Sequence, residues 1–241
     1  MRGSRSLWYA MAGAILSMGA PIGLLVVREL SVPQPIITEL SSDRLTYVYV
    51  FLSTTIVMAS VGFALGRQAD QLAALSETDP LTGMPNRRAL NRRLIDELHR
   101  AVRYRVPVSL FFIDIDGLKQ VNDREGHATG DRMIRGVAHA IAESLRETDF
   151  GARWGGDEFA VVAPSTGADA ARASAERIVA YVADQTRADR ARPTTVSVGI
   201  ATFDPAQIGQ RSDIEIDSLV RAADAALYRA KAGGRNRVHA A

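Results

Sequence analysis

The chain has 241 residues, room for one domain of ordinary size plus something smaller, and its 29 Lys and Arg against 27 Asp and Glu leave a net charge of +2. The basic residues are spread out rather than gathered in a block, so a nucleic-acid grip by charge is not indicated and no nucleic-acid partner is expected. No cysteine is present, which excludes a disulfide framework, a thiolate zinc site and a cysteine nucleophile.

Two runs without a charged residue, Leu7 to Val27 and Leu45 to Gly66, each have roughly the 20 residues that a helix needs to cross a bilayer. They predict a two-helix, multi-pass membrane anchor over residues 1–66, with the lipid bilayer as a partner. Arg2 and Arg5 precede the first run and Arg67 follows the second, whereas the connection from Arg28 to Arg44 sets Glu29, Glu39 and Asp43 against two arginines. The positive-inside rule then puts both ends in the cytoplasm, at the inner (cytoplasmic) membrane. A cleaved secretory signal is the competing reading of the first run, but Arg28-Glu29 follows it rather than a small-x-small cleavage site. Gly19 and Gly23, and Gly62 and Gly66, have the spacing that lets membrane helices approach closely. Pro33 and Pro35 predict an irregular connector, too short for a folded sensor domain. Leu72 and Leu75 within Arg67 to Glu77 predict a short helix, so that residues 67–78 link the anchor to a second domain over 79–241.

In that domain Asp79-Pro80-Leu81-Thr82-Gly83 is turn chemistry, and Asn86 is an N-cap for a helix on which Leu90, Leu94, Ile95, Leu98 and Val102 repeat. A buried strand runs from Val108 to Asp114, a polar loop from Gly117 to His127, and a helix opens at Gly130-Asp131 through Met133, Ile134, Val137, Ile141 and Leu145. Gly155-Gly156 separates two alternating apolar runs, the signal of a hairpin. A helix from Ala168 to about Thr186, a strand from Thr194 to Phe203, a helix from Ile216 to Ala232 and a short strand at Arg237-Val238 complete an α/β (α+β) fold. Its sheet is expected to be mixed and largely antiparallel, flanked by helices.

A glycine tip admits phosphates to the backbone, and carboxylates beside it can hold a divalent cation on them. If the two strands lie side by side, Asp114 meets Asp157, and carboxylates brought together need a cation such as Mg2+ or a proton between them. An acidic surface hairpin and a strand end capped by solvated acids are the other readings of these residues taken alone.

Gly155-Gly156-Asp157-Glu158-Phe159 resembles the signature of the GGDEF family of diguanylate cyclases, and the likeness extends over residues 79–238. It includes Asp79 to Gly83, Asn86-Arg87-Arg88, Asp114-Ile115-Asp116 with Lys119, Asn122 and Asp123, Gly126-His127 with Gly130-Asp131, Ser197 to Ile200, and Ala223-Asp224 through Tyr228, Lys231 and Gly234-Arg235-Asn236. The resemblance implies a fold similar to the palm of nucleotide cyclases and polymerases, and a homodimer that joins two GTP molecules into cyclic di-GMP. It implies that Asp114, the Ile115 carbonyl and Asp157 hold Mg2+ (or Mn2+), with Glu158 a further metal or acid/base carboxylate. Which of Asp157 and Glu158 takes the proton is left open. Lys119, Lys231 and Arg235 would meet phosphate, with a four-residue helical spacing pointing the last two one way. Asn122 and Asp131 would read guanine, His127 would sit beside the nucleotide, and Gly155 and Gly156 would approach its phosphates. Arg146 and Asp149 match the family's inhibitory site, where cyclic di-GMP restrains the enzyme; a helix-end salt bridge is the plain alternative. Trp154 and Leu118 depart from the residues usual there. The competing functions are a catalytically idle GGDEF domain that binds GTP or cyclic di-GMP and regulates a membrane partner, and a related cyclase making another product.

Overall fold

Gly13 and Gly62 let two helices of the N-terminal unit touch through their backbones. This computed structural model describes residues 5–31, 37, 43–187, 194–208 and 216–241, and the chain divides into two compact units, Met1–Ser76 and Glu77–Ala241. The first contains α1 (Arg5–Leu16), α2 (Gly19–Ser31) and α3 (Arg44–Leu75). A Cβ at Gly13 would run into the Met58 carbonyl, and one at Gly62 into the Tyr9 carbonyl, so α1 and α3 are in backbone contact at both glycines. The Ser17 and Thr55 hydroxyls hydrogen-bond at 2.7 Å in the same seam. Residues 6–30 and 44–72 are long and apolar enough to cross a membrane, by length and composition.

Three expectations change here. The first apolar run remains one stretch long enough to cross a membrane, but a turn at Ser17-Met18 divides it into α1 and α2. Gly19 and Gly23 have nothing within 4 Å of a Cβ built on them, so the close approach falls to Gly13 with Gly62 instead. The segment after Arg67 is no separate helix, because α3 continues unbroken to Leu75. Pro33, Pro35 and Glu39 lie outside the described residues.

The second unit contains α4 (Arg87–Tyr104), β1 (Val108–Ile115), α5 (Leu118–Glu125), α6 (His127–Ser144), β2 (Phe150–Arg153), β3 (Glu158–Pro164), α7 (Ala168–Gln185), β4 (Val196–Phe203), α8 (Pro205–Ile208), α9 (Ile216–Ala232) and β5 (Val238–Ala240). The strands form one mixed sheet in the order β2-β3-β1-β4-β5, antiparallel except for β4 with β5. β1 is central and buried at every position. Strand side chains alternate between faces, so Phe111, Ile113 and Ile115 pack with Val137 and Ile141 of α6 and Ile178 and Val182 of α7. Val108, Leu110 and Phe112 pack on the other face with Leu90, Leu94 and Leu98 of α4 and Leu227 of α9. Each of the three α4 leucines is almost wholly buried, which stabilises the fold by about 2 kcal/mol apiece. Gly199 of β4 lets α9 lie directly on the sheet, since a Cβ there would run into backbone atoms of Leu227 and Ala223.

Asn86 caps α4 as expected, its Oδ1 accepting from the N–H groups of Arg88 and Ala89. Ile95 and Val102 are exposed, however, and Ala101 fills the core side of the last turn. The polar stretch expected as a loop after Gly117 folds as α5, because Leu118 is buried and Val121 packs beside it one turn on. α6 begins at His127, not Gly130, and α8 was not anticipated.

Candidate active site

Alternation along β1 sends Asp114 to the α9 face, where an apolar run gives way to a buried carboxylate. Register places Glu158 directly opposite Asp114, whereas the expectation set Asp157 there. The reason is local: the N–H groups of Trp154 and Gly155 both donate to the Glu158 carbonyl, at 2.8 and 3.1 Å, which makes Glu158 the first paired residue of β3. Asp157 remains in the turn, its carbonyl accepting from the Ile115 N–H at 3.1 Å. A Cβ on Gly155 would lie 2.8 Å from Glu158 Oε2, so the bare turn makes room for that carboxylate.

Arg153 clasps the turn. Its guanidinium donates to the Gly155 carbonyl at 3.0 Å and the Gly156 carbonyl at 2.7 Å, and pairs with Asp79 Oδ1 at 2.9 Å. Asp79 Oδ1 also accepts from Leu81 N, Thr82 N and Thr82 Oγ1, which joins the early turn to the hairpin. Burial raises the Asp79 carboxyl, but the bonds from Arg153 and Thr82 outweigh it and hold the group below the usual range. Trp154 is fixed between Phe112, edge to face at 4.9 Å, and the Arg87 guanidinium at 4.2 Å.

Asp114 is 6% exposed and its Oδ2 lies 2.7 Å from Lys231 Nζ. Burial raises its pKa to about 6, Lys231 opposes the rise, and the charges of Asp157 and Glu158 add to it. Asp114, Asp157, Glu158 and Lys231 therefore share one end of the sheet. Among the described residues no three His, Cys, Asp or Glu side chains converge as a ready-made metal cage. The residues nonetheless fit Mg2+, which is held by one or two carboxylates while phosphates and waters complete its octahedron.

Lys231 thus meets a carboxylate, and Arg235 does not share its helical face. α9 stops at Ala232, Gly233-Gly234 turn the chain, and Arg235 has φ +63°. Asn122, on α5, has its Oδ1 buried over Gly130 without a hydrogen-bond partner, and only glycine at 130 gives that room. Lys119, His127 and Asp131 are exposed and, among the described residues, no hydrogen bond or ion pair ties them to the carboxylates. Asp116 and Asp79 stood in the recognised motifs without a role. The Arg153 guanidinium on Asp79 and the Thr195 and Ser197 hydroxyls on Asp116 come from 74, 79 and 81 residues away, which spacing along the chain does not reveal.

A family model described as "Diguanylate cyclase, GGDEF domain" matches residues 76–237. The chain belongs to this family. It is 39% identical over 166 residues to diguanylate cyclase DgcP of Pseudomonas aeruginosa, covering 68% of this chain and 24% of that protein. The chain therefore spans about a quarter of that relative's length. The solved GGDEF domain of DgcB from Caulobacter crescentus, in complex with c-di-GMP, superposes with a TM-score of 0.60 at 36% identity, over 68% of this chain and 95% of that one. Diguanylate cyclase SiaD of Pseudomonas aeruginosa, in complex with its activator SiaC, superposes at 0.62 with 30% identity, over 94% of this chain and 87% of that one.

In this GGDEF domain Arg146 and Asp149 form a turn after α6 rather than a salt bridge. Asp149 Oδ2 accepts from the Arg146 N–H at 3.1 Å, and the Asp149 N–H donates to the Arg146 carbonyl at 3.0 Å. Both line a cavity of about 510 Å³ with Arg135, His139 and Met84.

Proposed function

We propose that the protein is a membrane-anchored diguanylate cyclase that condenses two GTP into cyclic di-GMP and two diphosphates. The observation that carries this reading is Asp114, buried, opposite Glu158 and beside a glycine turn that keeps the approach to both carboxylates bare. Asp114, the Ile115 carbonyl and Asp157 or Glu158 would hold Mg2+, which when bound neutralises charge gathering on the phosphates.

In the reaction the 3′-hydroxyl of one GTP attacks the α-phosphate of the other, a phosphorus–oxygen bond forms, and diphosphate departs. The hydroxyl proton passes to Asp157 or Glu158. Lys231, Lys119 and Arg235 supply positive charge for the triphosphate. Asn122 and Asp131 read the guanine edge, since a side-chain amide and a carboxylate offer the donors and acceptors that guanine pairs with. His127 and the Gly155-Gly156 backbone complete the nucleotide's surroundings. Each subunit holds one GTP, so the cyclic product requires two subunits face to face and a homodimer is the active form.

Residues 1–66 anchor the chain at the cytoplasmic membrane through the two apolar stretches, residues 67–78 connect them to the catalytic domain, and that domain lies in the cytoplasm, where GTP is available. Cyclic di-GMP binds at Arg146 and Asp149 and inhibits, a reading supported by the cavity those residues line.

Incubating the full chain in detergent micelles with GTP and Mg2+, then weighing the products by mass spectrometry, tests the proposal. Cyclic di-GMP and diphosphate are expected. GTP retained unchanged on the protein would leave a nucleotide-binding regulator in its place.

A further inference from the structure

Asp116 lies one residue beyond β1, and both oxygens of its carboxylate are engaged. Oδ1 accepts from Ser197 Oγ at 2.8 Å; Oδ2 accepts from Thr195 Oγ1 at 2.8 Å and from the backbone N–H of Asn236 at 3.0 Å. Its own N–H donates to the Thr195 carbonyl at 2.9 Å. One side chain thereby joins the end of β1, the start of β4 and the segment after α9.

That last segment has a conformation it does not favour by itself. Arg235 and Asn236 have φ of +63° and +48°, left-handed values that non-glycine residues seldom adopt unless their surroundings impose them. The helix end holds one side of the segment, through the Arg235 N–H to the Ala230 carbonyl at 3.2 Å, and the β4–β5 pair holds the other, through the Val198 N–H to the Arg237 carbonyl at 2.9 Å. Between these anchors the bond from Asn236 to Asp116 is the tie to the strand that carries Asp114.

We propose that Asp116 is a positioning residue: it fixes the Arg235-Asn236 segment against the carboxylate end of β1 and so sets where the Arg235 guanidinium meets a nucleotide triphosphate. The proposal deepens the cyclase reading and rests on its assignment of the phosphate site. An asparagine at 116 keeps the shape and one acceptor for the Thr195 hydroxyl and the Asn236 N–H, with its NH2 group turned to Ser197 Oγ, but it loses the charge that strengthens all three bonds. A carboxylate at 116 therefore holds the segment more tightly than an amide of the same size.

The test uses the full chain in detergent micelles, with fluorescent N-methylanthraniloyl-GTP and Mg2+ as the binding probe and GTP turnover as the second readout. D116N is expected to weaken probe binding and raise KM for GTP about tenfold, with kcat within about threefold, the scale of one lost charged contact. R235A should do the same, and D116N/R235A should be no worse than R235A alone. A merely structural role would lower the thermal midpoint and the active fraction and leave KM in place. Should D116N fail to fold, T195V/S197A leaves the carboxylate but removes two of its donors, and a raised KM is again expected. Probe binding by D116N equal to wild type, or a double variant losing the product of both single effects, overturns the proposal. Wild-type protein that shows this binding pattern yet forms no dinucleotide refutes the cyclase reading and supports the role of Asp116. Wild-type protein that does not bind the probe overturns both.

Discussion

Lys231 Nζ stands 2.7 Å from Oδ2 of Asp114, a cation set against a carboxylate that burial has already made reluctant to ionise. The ordinary carboxyl value of 3.8 is raised to about 6 in the folded chain, chiefly by burial and further by Asp157 and Glu158, with Lys231 recovering part of the loss. Between these two values the folded form holds more protons than the unfolded one, so stability falls as pH rises through about 4 to 6 and is level above that. Asp114→Asn removes the slope. At pH 7 without Mg2+ the variant should be more stable by about 1 kcal/mol, a figure reduced for solvent screening, with the gain gone near pH 4. Its cyclic di-GMP formation should fall by about 10³-fold or more, because the charge that organises the site is lost. Denaturant midpoints for both chains at a series of pH values check this; parallel curves would show that Asp114 is not the group responsible.

Gly155 separates the geometry of Glu158 from the stability of the hairpin. The atom that a Cβ would meet, at 2.8 Å, is Glu158 Oε2, the far end of a flexible side chain that can swing away. Gly155→Ala should therefore fold with a thermal midpoint within about 3 °C of wild type, corresponding to less than about 1 kcal/mol. Turnover should drop by about 10²-fold, since a shift of an ångström at a reacting group costs that much. Full activity in a folded Gly155→Ala chain would remove Glu158, in its present position, from the chemistry.

The difference between what was and was not legible follows from distance along the chain. The hairpin could be read because Gly155-Gly156 lies between its own two strands, and the N-cap because Asn86 acts on Arg88 and Ala89. The register could not, as it depends on two N–H groups converging on the Glu158 carbonyl, a matter of turn geometry rather than composition. α5 was hidden because most of its side chains are polar and its stability comes from burying Leu118 against a core assembled from other elements. The Lys231 to Arg235 spacing misled because Gly233-Gly234 end the helix between them. Asp116 was beyond reach altogether: the hydroxyls it accepts from are 79 and 81 residues away in the chain.

Arg146 offers a test of feedback that leaves catalysis alone. Its backbone and Asp149 close the turn, so the side chain contributes to the 510 Å³ cavity without holding the fold together. Arg146→Ala should raise the cyclic di-GMP concentration for half-inhibition by about tenfold or more, the loss of a charged contact to phosphate, with the uninhibited rate unchanged. Progress curves with added product decide the matter, and an unaltered inhibition constant would put the inhibitory site elsewhere.

The last prediction separates the glycines that matter in the N-terminal unit from those that only looked as though they should. A side chain at Gly62 would run into the Tyr9 carbonyl, whereas one at Gly19 meets nothing within 4 Å. In the proposed bilayer setting, where water supplies no driving force, close approach of small residues is what holds apolar helices together, so Gly62→Leu should part α1 from α3 and Gly19→Leu should not. With no native cysteine in the chain, Ser17→Cys with Thr55→Cys reports the seam without background, because those hydroxyls lie 2.7 Å apart. Oxidation of that pair in membranes, followed by mass analysis of the digested peptides, should give a high yield of the linked peptide alone and with Gly19→Leu. With Gly62→Leu the yield should fall severalfold, and equal yields in all three chains would mean that α1 and α3 do not pack through this glycine.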